Sequence, residues 1–125
     1  MKLRIRGNSI RLRLTRSEVA QFDEKGLIEE TIAFNFAPMQ QLIYALEKIT
    51  VENVSATFEN NRLCIFVPQA QAENWANSNQ IGIEAEQLLG ENKRLRILIE
   101  KDFACSEDRP DEDESDTFPN PLQSI

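Results

Sequence analysis

Five cations stand at alternate positions near the N-terminus: Lys2, Arg4 and Arg6, then Arg11 and Arg13. Guanidinium groups grouped in this way match the geometry of phosphate. Gly7-Asn8 divides the set, between runs in which Leu3 and Ile5, then Ile10, Leu12 and Leu14, alternate with the cations. That is the pattern of a hairpin closed by a two-residue turn. Closing it sets Arg4 opposite Arg11, Lys2 opposite Arg13 and Arg6 opposite Ser9, with all five cations on one outward face. Like charges directly opposed on a hairpin destabilise it. Something must offset them: phosphates, nearby acids such as Glu29 or Glu30, or solvent screening. Lys2, Arg4, Arg6, Arg11 and Arg13 are therefore the candidate binding face.

A second group of chemistry-bearing residues lies near the other end. Asp111, Asp113, Ser115 and Asp116 alternate oxygens loosely in the manner of a calcium loop. Asp116 occupies the place of the turn glycine, however, and Leu122 that of the closing glutamate. Asp111, Asp113 and Asp116 are thus weak metal candidates, and no cofactor is implied. The chain has no histidine, the commonest general base. Zinc spacing, a glycine-rich phosphate loop and a nucleophile elbow are missing from the sequence. Cys64 in "RLCIFVP" reads as a packing residue, and the acidic run after Cys105 disfavours its thiolate. Glu84 and Glu86 read as a solvated strand face. Catalysis is not the expectation; a carboxylate- and metal-dependent enzyme stays as an alternative.

The elements that must hold these residues repeat. Thr15, with Glu18 three positions on, opens a helix through a capping box; Val19 and Phe22 form its buried face and Gly26 its stop. Residues 28–36 and 42–48 read as strands. At an offset of 53 residues the pattern recurs. Ala56 and Phe58 answer Leu3 and Ile5, and Asn60-Asn61 answers Gly7-Asn8. Leu63, Ile65 and Val67 answer Ile10, Leu12 and Leu14, and Pro68 answers Thr15. Ala72 and Trp75 answer Val19 and Phe22, Ile81 answers Ile28, and "LRILIEK" (95–101) answers "LIYALEK" (42–48). The fold class expected is α+β, mostly β: two ββαββ units, 1–49 and 54–102, related by a pseudo-two-fold. A barrel-like sheet with two short helices outside removes the exposed strand edges. Residues 1–105 form one domain, and 106–125 an acidic, proline-containing tail in which Phe118, in "FPNP", can anchor to the body.

The ββαββ order resembles the swapped-hairpin barrel of the AbrB-type transcription regulators, with 1–49 and 54–102 as two such units in tandem. "NSIRLRLT" stands where that family has its Gly-Arg-Val-Val-Ile-Pro signature. The strings "MKLRIRGNSIRLRLT" and "EKDFAC…RP…DEDESDTFPNP" resemble a family of small bacterial proteins of unknown function over the whole chain. That resemblance implies a bacterial, cytosolic protein and carries no activity.

Charge is unevenly laid out. Residues 1–16 hold six cations and no acid, while 107–116 hold seven carboxylates against Arg109, within a chain of net charge −7. At 125 residues one core is feasible without staples. Two cysteines point to a reducing compartment. The start lacks the apolar run of a signal peptide, and nothing is long and apolar enough to span a bilayer. A soluble cytoplasmic protein is expected, without membrane partners. The leading function is a non-catalytic binding or regulatory module with a protein partner, and self-assembly is left open. The alternative is a nucleic-acid-binding module using the basic hairpin. Against it stand the net charge and the second hairpin, whose outward face (Ser55, Thr57, Glu59, Arg62, Cys64, Phe66) is not basic.

Overall fold

The computed structural model describes residues 1–36, 40–103 and 116–119. Strands β1 (Lys2–Arg6) and β2 (Ser9–Leu14) form the first hairpin, followed by α1 (Arg16–Lys25), β3 (Leu27–Ala33) and β4 (Gln41–Ile49). The second unit is β5 (Ser55–Glu59), β6 (Arg62–Pro68), α2 (Gln69–Ala76), β7 (Gly82–Gly90) and β8 (Lys93–Lys101). The chain is mostly β, with two ββαββ halves. Its eight strands do not close into a barrel. They make two four-stranded sheets, in the orders β1-β2-β8-β7 and β3-β4-β6-β5.

Neither sheet belongs to one unit. The first hairpin of unit 1 joins the last hairpin of unit 2 through a parallel β2–β8 pairing, and β4–β6 repeats this in the other sheet. The registers repeat too. Leu12 lies beside Ile99 and Ile10 beside Ile97; 53 residues away, Ile65 lies beside Leu46 and Leu63 beside Tyr44. The expected offset therefore describes backbone geometry through β1, β2, α1 and β4.

It fails at one element. Ile81, matched to Ile28 by the constant offset, is 49% exposed, whereas Ile83 is 5% exposed, as is Ile28. Ile28 pairs with Leu46, and Ile83 with Ile99, the counterpart of Leu46. Between the start of α2 and the inward-facing position of β7 the second unit has two more residues than the first. An even insertion leaves the inward face of a strand unchanged, because side chains alternate with period two.

Local chemistry accounts for the elements. Thr15 and Glu18 make the reciprocal capping box at α1, and Gly26 ends that helix at φ 77°. Pro68 starts α2 without a side-chain cap. Asn60-Asn61 and Glu91-Asn92 turn their hairpins with both residues at positive φ. Between the sheets and helices lies one core, including Leu12, Leu14, Phe22, Leu46, Ile65, Trp75 and Ile99. Phe22 and Trp75 meet edge to face with centroids 6.2 Å apart across the pseudo-two-fold, and the Trp75 indole donates to the Ile81 carbonyl at 3.0 Å. No helix is long and apolar enough to cross a membrane among the described residues.

Candidate functional site

The hairpin register is Lys2 with Arg13, Arg4 with Arg11, and Arg6 with Ser9. Because Ile10, Leu12 and Leu14 face the core, the cations between them face outward. The parallel pairing of β2 with β8, and the antiparallel pairing of β8 with β7, extend each row across the sheet. Lys2 and Arg13 continue to Glu100, Arg4 and Arg11 to Leu98 and Glu84, and Arg6 and Ser9 to Arg96 and Glu86.

This extension neutralises part of the cationic face. Glu100 takes both Arg11 and Arg13, at 2.8 Å and 2.9 Å from their Nε atoms. The Arg11 Nε lies off hydrogen-bond geometry, so that contact is ionic rather than directional. Lys2 reaches Asp102 at 3.3 Å. Glu29, one of the acids expected to help, instead pairs with Arg62; Glu30 is held by the Met1 ammonium and by the Tyr44 hydroxyl. Arg4 and Arg6 are exposed, as is Arg96, and none of the three forms an ion pair among the described residues.

A groove of about 510 Å³ lies among these groups. Arg4, Arg6, Arg11 and Arg96 line it together with Glu84, Glu86 and half-buried Leu98. Its size falls within the range of ligand sites. Glu86 is engaged by Arg94 at 3.1 Å, while Glu84 forms no ion pair among the described residues. The counterpart on the other sheet has different chemistry. Thr57, Cys64, Glu59 and Arg62 stand where Arg4, Arg11, Arg6 and Ser9 stand in the first. Arg62 is held by Glu29. Burial, and then the nearby Glu47 carboxylate, push the Cys64 thiol up, so it is a poor nucleophile. Two equivalent faces thus differ, and one concentrates arginines without an ion pair among the described residues.

Asp111 and Asp113 lie outside the described residues, as does Cys105. Asp116 is described and is occupied. Its carboxylate accepts from the Ser17 hydroxyl and from the Ser17 amide at 3.2 Å, and its carbonyl accepts from the Arg16 amide at 3.0 Å. The Ser17 hydroxyl chiefly, with the Thr15 side chain, holds the Asp116 carboxyl below the ordinary aspartate range. No three of His, Cys, Asp and Glu stand together as a metal site among the described residues. Phe118 packs on Phe103 with centroids 5.7 Å apart, and Lys101 Nζ lies 5.3 Å from the centre of its ring. Residues 116–119 thus rest on the body beside α1 and the end of β8.

Large apolar side chains are exposed at the hairpin ends: Ile5, Phe34, Phe36, Phe58, Leu88 and Leu89. Sequence reasoning reached β1 and β2 but missed Arg96, Leu98, Glu100 and Glu84 as members of the same face. The alternation of β8 was visible; its parallel neighbour was not, because that pairing joins residues 87 apart in the chain.

A family model described as a family of unknown function (DUF7009) covers residues 1–122. No curated protein and no solved structure matches, so the resemblance to the AbrB-type regulators gains no support.

Proposed function

The chain belongs to this family of unknown function, and we propose that it is a non-catalytic binding module whose sheet β1-β2-β8-β7 receives an acidic segment of a protein partner. One observation carries the reading: Arg4, Arg6 and Arg96 border a groove without ion partners among the described residues, which pair Arg11, Arg13, Arg62 and Arg94. Clustered guanidinium groups lacking counterions gain most from a carboxylate or phosphate ligand. The apolar hairpin ends favour a protein over a nucleic acid, since exposed apolar side chains in number mark protein contacts. Glu84 and Glu86 on the same face oppose a continuous phosphate backbone, and the second sheet offers no matching basic face. The reading goes with a bacterial cytosolic protein in which Cys64 is reduced.

The test compares a labelled glutamate-rich peptide with a single-stranded oligonucleotide of equal charge, by fluorescence anisotropy at low and moderate salt. The peptide is expected to bind, and the combined substitution Arg4→Gln, Arg6→Gln, Arg96→Gln to weaken it about tenfold or more. Tighter binding of the oligonucleotide, with the steep salt dependence of counterion release, selects the nucleic-acid alternative. Binding unchanged by the three substitutions overturns the reading.

A further inference from the structure

The groove carries both signs of charge, and the two signs do not neutralise each other. Arg4 and Arg6 stand on edge strand β1, and Glu84 on edge strand β7. Between them, Arg11 is turned to Glu100, leaving Leu98 as the apolar surface in the row Arg4–Arg11–Leu98–Glu84. Neighbouring strands are spaced by about 4.8 Å, so Arg4 and Glu84, three strands apart, have backbones roughly 14 Å apart. That is too far for a direct pair and suits a ligand spanning the groove.

We propose that the partner segment is an extended peptide crossing the strands, with an acidic residue at one position, an apolar residue two later and a basic residue two later again. This rests on the acidic-partner reading and names the pattern the groove selects. The geometry of an extended chain supports it. Residues i, i+2 and i+4 point the same way, and four rises of about 3.3 Å cover roughly 13 Å, close to the span from Arg4 to Glu84. The acid meets Arg4 and Arg6, with Arg96 within reach on β8. The apolar side chain covers Leu98. The base meets Glu84, whose carboxylate forms no ion pair among the described residues. A wholly acidic segment still meets Arg4 and Arg6 but brings like charge against Glu84 and so binds less tightly, and a wholly basic one brings like charge against Arg4 and Arg6. The groove discriminates by repulsion as well as by attraction.

The test uses the full chain and three labelled, capped peptides with glycine flanks: Glu-Ser-Leu-Ser-Lys, the same with Gln for Lys, and the same with Glu for Lys. Anisotropy titration is expected to rank them in that order, with the Lys peptide about threefold to tenfold tighter than the Gln peptide, the range of a partly exposed ion pair. Glu84→Gln is expected to abolish the preference for Lys over Gln while leaving the Gln peptide unaffected. If the Glu-ended peptide binds best and Glu84→Gln changes nothing, this inference is overturned and the acidic-partner reading stands. If Arg4→Gln with Arg6→Gln leaves every peptide unaffected, or if no peptide binds the unaltered protein, both are overturned.

Discussion

Tyr44 is the chain's single tyrosine, and its hydroxyl ties three distant segments together. It donates to the Glu30 carboxylate at 2.7 Å and lies 2.9 Å from the Met1 carbonyl. Burial first, then the bond to Glu30 and the charges of Glu30 and Glu18, push its pKa up to about 12. An ultraviolet titration of phenolate is therefore expected to show a midpoint near 12 in the folded protein, against about 10 once unfolded. A folded value above the unfolded one makes the contribution of Tyr44 complete below pH 10 and lost as pH rises through 12. Asp116 has the opposite sign. Its lowered value makes its contact with Ser17 stabilising above the ordinary aspartate range, and that contribution disappears as pH falls through the folded value. Melting curves of Asp116→Asn should thus fall below the parent at neutral pH and converge with it in acid. Equal melting at neutral pH would show that the contact adds nothing measurable.

At the scale of elements, the two helices differ in what holds them. The α1 capping box was visible in Thr15 and Glu18, and Thr15→Ala is expected to cost about 1 kcal/mol in chemical denaturation. Helix α2 has no cap side chain and depends on Trp75, which is fully buried against Phe22. Trp75→Ala is expected to cost about 3–5 kcal/mol, the range for deleting a large buried aromatic. A melting curve unmoved by that substitution would place Trp75 outside the energetically connected core. Helix spans, most strand spans and the equivalence of Phe22 with Trp75 were legible, because each rests on alternation or capping within some ten residues; the strand expected over 28–36 instead ends at Ala33, leaving Phe34 and Phe36 exposed. The equivalence of Ile81 with Ile28 was misread. A constant offset cannot register a two-residue shift arising ahead of β7, whereas burial identifies Ile83 at once.

At the scale of the whole molecule, each sheet needs both units. Residues 1–53 supply β2 without its parallel neighbour β8, and β4 without β6. Either half expressed alone is expected to lack a cooperative melt, and an equimolar mixture of 1–53 and 54–122 to recover one, followed by circular dichroism. Half chains that melt cooperatively as monomers would show that contacts within one unit suffice. The same interleaving makes the candidate site a joint product. Arg4 and Arg6 come from unit 1, and Leu98, Arg96 and Glu84 from unit 2.

The repeated ββαββ pattern, the hairpin register that faces Lys2, Arg4, Arg6, Arg11 and Arg13 outward, and the inward faces of both helices can be read from the chain alone. These follow from side-chain periodicity, turn residues and caps, all of which act over short stretches of chain. That the hairpins exchange partners between units, making two sheets where a barrel-like sheet was expected, emerges only from the packed molecule. Only it placed Glu100 between Arg11 and Arg13, leaving Arg4, Arg6 and Arg96 without a partner among the described residues. Alternation reveals which side of a strand is buried. Which strand lies alongside is chosen by the packing of the whole core, and the charge balance of each face follows from that choice.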